Sequence, residues 1–150
     1  MIALAGDHGG FALKEAIAAY LKDNDIEYYD YGTYDEVSCD YPTVVKVPCE
    51  AIRQGKASKG IFICGTGVGI SIAANKYNGI RAAHVSEAFS AKLAREHNDA
   101  NVLCLGGRIL SSEYAFNIVD VFLTTEFSYA ERHIKRIDQL KEIEEYEKYK

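Results

Sequence analysis

Short apolar runs alternate with longer amphipathic segments along the whole chain. The apolar runs predict five strands, at Ile2–Ala5, Glu27–Asp30, Gly60–Cys64, Ile80–Val85 and Val102–Leu105. Between the first two, apolar residues at positions 13, 16, 17, 20 and 21 recur with the period of an α-helix. Strands that alternate with helices predict βαβ units, and therefore a parallel sheet covered by helices on both faces.

Four further helices are predicted, at Tyr41–Gln54, Gly69–Lys76, Ser86–His97 and Ser111–Thr124. The segment from 130 to 150 predicts a last helix, with apolar side chains on one side and mostly charged residues elsewhere. We interpret that charge as a solvated face, while packing on a second subunit is the alternative.

Length and composition indicate one domain, spanning residues 1–150, without a linker or a repeat. The net charge of −5 argues against binding to a nucleic-acid backbone, but leaves room for a small anion held by a few arginines. No apolar stretch approaches the roughly 20 residues that cross a bilayer. The start of the chain lacks a basic leader, and the four cysteines form no CxxC pair, so we expect a cytoplasmic protein.

Residues with useful chemistry follow three of the predicted strands. The first strand leads into Gly6–Gly10, the third into the loop from Cys64 to Ser71, and the fifth into Gly106–Arg108. Because parallel α/β sheets bind ligands outside the carboxyl ends of their strands, the sequence predicts a site at that edge.

The glycine-rich loop Cys64-Gly65-Thr66-Gly67-Val68-Gly69 first suggests a nucleotide site. Ile70 stands where a dinucleotide fingerprint needs its third glycine, and the Gly-Lys-Ser/Thr of a P-loop is absent. The tight turn still leaves free backbone N–H groups that can stabilise a phosphate or an oxyanion. A nucleotide cradle and an oxyanion nest are both open at this point.

Cys64 directly precedes this nest, where a helix N-terminus lowers the pKa of a thiol and makes it a base or nucleophile. The alternative is a small apolar residue, which is how we interpret Cys39, Cys49 and Cys104. His97 ends the predicted helix at 86–97, and the end of a helix favours the protonated imidazolium of a proton donor. It could equally complete an amphipathic face.

Arginines near the last two helices are candidate phosphate ligands. Arg132 and Arg136 are four residues apart and share a helix face, and Arg108 and His133 join them as candidates. Solvated surface is the alternative for each. The histidines and cysteines show no metal-ligand spacing, so no metal is expected.

Several motifs occur together and in a fixed order: Gly6-Asp7-His8-Gly9-Gly10-Phe11, Asp40-Tyr41-Pro42, the segment from Ile63 to Lys76, the segment from Arg95 to Val102, and Arg132-His133 with Arg136. Together they resemble the type B ribose-5-phosphate isomerases, relatives of the galactose-6-phosphate isomerase subunits. The resemblance spans nearly the whole chain. It implies an α/β, Rossmann-like three-layer sandwich with a five-stranded parallel sheet and a C-terminal helix.

The resemblance also implies an activity, the interconversion of ribose 5-phosphate and ribulose 5-phosphate, with no cofactor. It assigns Cys64 as the base that moves a proton between C1 and C2, and His97 as the acid that opens the sugar ring. It further implies a homodimer, which can pair into a tetramer, with each site at the interface. The residues it assigns to the sugar are Asp7, His8, Gly65, Gly67, Val68 and Asn98; those it assigns to the phosphate are Arg108, Arg132 and Arg136, with His133 nearby.

The chemistry fits these assignments. Aldose–ketose exchange through a cis-enediolate needs a base and a stabiliser of the developing negative charge, but no redox cofactor and no metal. The Thr66 hydroxyl and the neighbouring N–H groups are expected to supply that stabiliser.

Two other functions are alternatives to ribose-5-phosphate isomerisation. One is the isomerisation of a six-carbon sugar phosphate such as allose 6-phosphate, and the other is a non-catalytic nucleotide- or sugar-phosphate-binding module. The chain also departs from the family pattern at Ala130-Glu131, where glycines are frequent. We expect the negative charge of Glu131 to alter phosphate affinity or the accepted sugar length.

Overall fold

The computed structural model describes residues 1–150. Its strands, which all pair in parallel in one sheet, are β1 (Ile2–Gly6), β2 (Tyr28–Asp30), β3 (Lys59–Cys64), β4 (Ala82–His84) and β5 (Val102–Gly106). Their order across the sheet is β2-β1-β3-β5-β4. The chain therefore leaves β1 toward one edge and β3 toward the other, which makes the space between the ends of these two strands the topological switch point.

Seven helices cover the sheet: α1 (Phe11–Asp23), α2 (Tyr41–Val44), α3 (Lys46–Arg53), α4 (Val68–Ala74), α5 (Ala88–Asn98), α6 (Ser112–Thr124) and α7 (Glu131–Glu147). Side chains of α1, α5 and α6 form one buried cluster with the strands, and side chains of the α2–α4 region form a second. Alternate strand residues point into the two clusters, as a sheet covered on both faces requires. The predicted α/β three-layer sandwich is confirmed.

The central strands agree most closely with the sequence prediction. Every residue of β1 and β5 is buried, because helices cover both faces there, and this explains their continuous apolar runs. The edge strand β4 is shorter than the predicted 80–85. Asn75 binds its outer side, accepting from the N–H of Ala82 and donating to its carbonyl, both at 2.9 Å.

The predicted helix at 41–54 is interrupted at Val45 and divides into α2 and α3. Pro48 explains the break, because it has no N–H to donate to the carbonyl of Val44 one turn earlier. The predicted C-terminal helix is present as α7, and only His133 and Ile137 of it are buried. None of the helices has the length and apolar character needed to cross a membrane.

A fully buried lysine fixes the loop that follows β2. Lys14 of α1 forms an ion pair with Asp30 at the end of β2, and its ammonium also lies 5.7 Å from the centre of the Tyr34 ring. Asp30 in turn accepts the N–H of Gly32 at 2.8 Å. The loop is thereby held beside the carboxyl end of β1, where the first of the predicted site residues begin.

Candidate active site

Asp7 and His8 follow β1 and are held in place by backbone groups. The buried Asp7 accepts the N–H groups of Gly9 and Gly10 through Oδ1, at 2.9 and 3.1 Å, so its carboxylate is fixed by its own loop. His8 accepts the N–H of Cys39 through Nδ1 at 3.2 Å. Because Nδ1 is the acceptor, the neutral ring carries its proton on Nε2, which is then available to donate to a ligand.

Cys64 ends β3 and is 4% exposed. Its Sγ lies 3.1 Å from the backbone nitrogen of Gly67, whose N–H donates to it at the start of α4. A helix N-terminus is a position at which proteins place reactive cysteines. Cys49 and Cys104 have no such contact: burial raises the pKa of Cys49 to about 12 and that of Cys104 well above its usual value.

Gly67, which donates to Cys64, has a backbone conformation that favours glycine. Its φ is +82°, in the left-handed region, and a Cβ there would lie 2.8 Å from the carbonyl carbon of Leu105 and 2.7 Å from the ring of His84. Both the backbone angle and the lack of space therefore demand glycine at this position.

Thr66 and Val68 complete the turn. The exposed Thr66 accepts the N–H of Val68 through its hydroxyl oxygen at 3.3 Å. Its hydroxyl hydrogen remains free to be donated to an oxygen of a ligand.

The loops after β1, β3 and β5 meet at the switch point. A Cβ on Gly65 would lie 2.9 Å from Nη1 of Arg108, and one on Gly9 would lie 3.0 Å from the nitrogen of Gly65 and 3.4 Å from Nη2 of Arg108. The guanidinium of Arg108 thus covers the glycine-rich turn. Backbone N–H groups and this positive charge together make the crevice suitable for an anion.

Tyr41, for which the sequence predicts no individual role, also borders this turn. A Cβ on Gly69 would lie 2.8 Å from Cζ of the Tyr41 ring, so the ring packs directly on the first turn of α4. The signal for it was its place in the motif Asp40-Tyr41-Pro42. Periodicity could not show which loop this motif contacts.

His97 and Asn98 lie at the opposite edge of the sheet. They end α5, which starts after the carboxyl end of β4 and returns to the start of β5. In the register of β3 and β5, Gly60 pairs with Val102 and Cys64 with Gly106. These two residue pairs are about 13 Å apart along the strands, because each strand residue advances about 3.3 Å. Within one chain, His97 is therefore separated from Cys64 by the length of the sheet.

The α7 candidates join His97 at that edge. The rings of His97 and His133 have centroids 4.4 Å apart, and the buried His133 places Nδ1 2.6 Å from the hydroxyl oxygen of Ser128. Burial lowers the pKa of His133, and the neighbouring Arg132, His97 and Arg136 lower it further. This crowding of cationic and imidazole groups is suited to a dianion such as a phosphate ester.

Glu131 lies on another side of α7. It lines a surface groove together with Ile134, Lys135 and Asp138. The acidic residue that raises the pKa of His133 is Glu96 rather than Glu131. Glu131 is thus not among the groups that shift the pKa of His133. Its effect on phosphate affinity stays a prediction.

The predicted site residues thus form two groups. The carboxyl-edge group comprises Asp7, His8, Cys64, Gly65, Thr66, Gly67, Val68 and Arg108. The amino-edge group comprises His97, Asn98, Arg132, His133 and Arg136. No cluster of three or more His, Cys, Asp or Glu side chains is arranged to hold a metal ion.

A model of the Ribose/Galactose Isomerase family matches residues 2–140. The chain belongs to this family. Among the relatives of this isomerase, ribose-5-phosphate isomerase B of Escherichia coli is 45% identical over 96% of each chain. Ribose-5-phosphate isomerase B of Clostridium thermocellum superposes with a TM-score of 0.94 at 46% identity, over 99% of each chain. The Thermotoga maritima ribose 5-phosphate isomerase gives 0.92 at 50% identity, over 94% of this chain and 97% of that one. The isomerase is accordingly an enzyme of the aldose–ketose type.

The conformation of Gly67 yields a stability prediction with a matched control. Gly55 has a similar φ of +72°, but a Cβ there would meet nothing within 4 Å. Gly55→Ala should therefore cost only the left-handed strain, about 1–2 kcal/mol, whereas Gly67→Ala should lower the free energy of unfolding by clearly more. Urea denaturation of both variants measures this difference, and equal losses would contradict the crowding at Gly67.

The lowered pKa of His133 predicts a pH dependence of stability. Its unfolded form takes up a proton at about pH 6.5, before the folded form does, so the free energy of unfolding should fall as pH drops below that value. Thermal unfolding between about pH 7.5 and 5.5 tests this. His133→Gln should flatten the dependence, and His84→Gln, at an exposed ring, should leave it unchanged. A steep dependence retained in His133→Gln would refute the assignment.

Proposed function

We propose that this isomerase interconverts D-ribose 5-phosphate and D-ribulose 5-phosphate through a cis-enediolate, with Cys64 as the base. The observation that carries the proposal is the contact of the Cys64 Sγ with the Gly67 N–H, 3.1 Å long, at the point where three loops meet. The names of the relatives from E. coli and C. thermocellum support ribose 5-phosphate as the substrate.

The carboxyl-edge group contains a side chain or backbone donor for the proton transfer and for the stabilisation of the developing charge. The Cys64 thiolate takes the proton from C2 of the open-chain aldose, a proton passes from O2 to O1 of the resulting enediolate, and the thiol returns its proton to C1. Negative charge meanwhile develops on the sugar oxygens, where the Thr66 hydroxyl and free N–H groups of the turn can donate. Each such donor contributes about 3 kcal/mol to stabilising a transition state.

Ring opening needs an acid, and the proposed acid, His97, lies at the far edge of its own chain. We therefore propose a homodimer in which each site combines the carboxyl-edge group of one copy with the amino-edge group of the other. Arg132 and Arg136 then approach the crevice from the opposite side to Arg108 and hold the phosphate. Binding energy from this remote group orients the reacting carbons.

The surface of α4 supports such a dimer. Val68 and Ile72 are 45% and 57% exposed and share one face of this helix, whose first residue adjoins the nest. At its other end, Asn75 lines a groove of about 410 Å³ together with Asn98. Two copies of α4 packed antiparallel about a two-fold axis would bring the nest of one chain toward the Asn98 end of the other, twice.

A six-carbon substrate is the second candidate, because the family model covers galactose as well as ribose isomerases. An aldose such as allose 6-phosphate requires the same proton transfer but places the phosphate one carbon further from C1. Comparing kcat/KM for ribose 5-phosphate and allose 6-phosphate decides between the two.

We also propose a cytoplasmic location.

Replacing the base should abolish turnover while leaving binding intact. Cys64→Ala is expected to lower kcat for ribose 5-phosphate by about a thousandfold or more, because the proton acceptor is lost. Calorimetry should still detect the sugar phosphate. Cys49→Ala, which removes a buried thiol with a raised pKa, should keep kcat. The assay is run with excess chelator, since no metal is required by this mechanism.

Full activity of Cys64→Ala would refute the cysteine base. Binding without turnover in the unmodified protein would instead favour the non-catalytic sugar-phosphate-binding module.

The shared site can be tested by mixing two inactive variants. Cys64→Ala damages only the carboxyl-edge group and His97→Ala only the amino-edge group, so a mixed dimer contains one intact site. Co-refolding equal amounts should restore about a quarter of the unmodified activity, because random pairing makes half of the dimers mixed. Failure to recover activity, with mixed dimers demonstrated by tags, would contradict a site built from two copies.

A further inference from the structure

The turn that follows His97 and Asn98 is built around one carboxylate. Asp99 has a φ of 44°, in the left-handed region, and caps the end of α5. Its Oδ1 accepts Nη1 of Arg95 at 2.8 Å, and its Oδ2 accepts Nη2 of Arg81 at 3.0 Å. Two arginines from different elements therefore grip the two oxygens of a single side chain.

The same arginines bind carbonyl groups at the end of the helix and in the turn that follows it. Nε of Arg81 donates to the carbonyl oxygens of Asn98 and Asp99, at 3.1 and 3.0 Å. Nη1 of Arg95 donates to the carbonyl of Ala100 at 2.7 Å. Carbonyl groups at a helix C-terminus lack partners within the helix, and cations there are favoured by its dipole. Arg81 thus holds the backbone of Asn98, a proposed substrate-binding residue.

Both arginines are themselves anchored. Asn101 accepts the backbone N–H of Arg81 and donates to the carbonyl of Gly79, each at 2.8 Å. The side chain of Arg95 is only 7% exposed and lies over the ring of Phe122. The turn at 98–100 is consequently fixed on the sheet side by Arg81 and on the helix side by Arg95.

We propose that Asp99 and Arg81 are positioning residues, which set the orientation of His97 and Asn98 for catalysis in the second copy's site. They do not touch the substrate, and this inference rests on the function proposed above. A partly exposed ion pair such as Asp99 with Arg81 adds little to stability. The main consequence of this ion pair is that it sets the geometry of the helix end. The catalytic rate is sensitive to that geometry, because a small displacement of a catalytic group removes much of its contribution to the rate.

Asp99→Asn isolates the charged contacts. Asparagine has the same shape and tolerates a left-handed backbone. It has no charge and only one side-chain oxygen, so one of the two arginines loses its acceptor and faces an N–H donor. We expect kcat for ribose 5-phosphate to fall about 10- to 100-fold, with a much smaller change in KM. Arg81→Met, at a partly exposed site, should show a similar loss, and the double variant should lose less than the two single losses combined, because both changes remove the ion pair between Asp99 and Arg81.

Asp138→Asn is the matched control, since it breaks an exposed ion pair to Lys141 on α7. It should retain kcat. Full kcat in both Asp99→Asn and Arg81→Met, each folded by circular dichroism, would overturn the proposal.

Complementation separates positioning from a general loss of structure. Mixed with Cys64→Ala, Asp99→Asn should recover about a quarter of the unmodified activity, because the mixed dimer pairs its intact Cys64 with an undamaged His97. No recovery, with mixed dimers demonstrated, would mean that the damage extends to its own nest, and the positioning role would be wrong.

A readout without turnover distinguishes this inference from the proposed function. In NMR spectra of protein with labelled histidines, Asp99→Asn should shift or broaden the ring signals of His97 and leave those of exposed His84 unchanged. If the unmodified protein fails to isomerise ribose 5-phosphate but Asp99→Asn still shifts the ring signals of His97, the substrate assignment is wrong and the positioning role is supported. An unmoved His97 in an active enzyme refutes the positioning alone.

Discussion

The all-parallel sheet imposes the constraint on which the remaining features depend. Each connection must carry the chain from the carboxyl edge back to the amino edge before the next strand begins, and helices make that return. Groups placed directly after a strand therefore gather at one edge, and groups at the end of the following helix gather at the other. Cys64 and His97 belong to these two classes. No local adjustment of a loop could bring them together within one chain.

At the carboxyl edge, close approach of backbones creates the chemistry. A Cβ on Gly107 would lie 2.6 Å from the carbonyl oxygen of Gly9, and one on Gly65 would meet Arg108, so the three loops touch only because these positions have no side chains. The same closeness lets the N–H of Gly67 reach Sγ of Cys64. In the proposed mechanism, a negative charge that forms here is stabilised by fixed backbone dipoles, which need no reorganisation during a reaction.

Much of the fold could be predicted because its signals are local. The central strands β1, β3 and β5 appear as apolar runs, and the residues that follow them indicate the edge at which the site lies. Every residue of these strands is buried except Lys59 at the start of β3. The break before Pro48 was missed because an apolar periodicity continues through it, although the proline itself carried the signal.

The contacts of the amino-edge group could not be predicted, because they join residues distant in sequence. His133 meets His97 across two elements, and Arg81 reaches Asp99 around the edge strand. Spacing showed that Arg132 and Arg136 share a face of a helix, but it could not show that the neighbouring His133 contacts His97 of α5. Family resemblance supplied the residue identities, and only the three-dimensional arrangement divides them into two groups.

Each group is organised within its own chain before any assembly. Gly67 fixes Cys64, and Asp99 with Arg81 and Arg95 fixes the end of α5. In the proposed dimer, association then has to orient two rigid surfaces rather than order individual side chains, which lowers the entropic cost of building the site. A two-fold axis makes the same pairing twice. The net charge of −5 does not oppose binding of a sugar phosphate, because the arginines that would hold it are divided between the two edges and converge only where the copies meet.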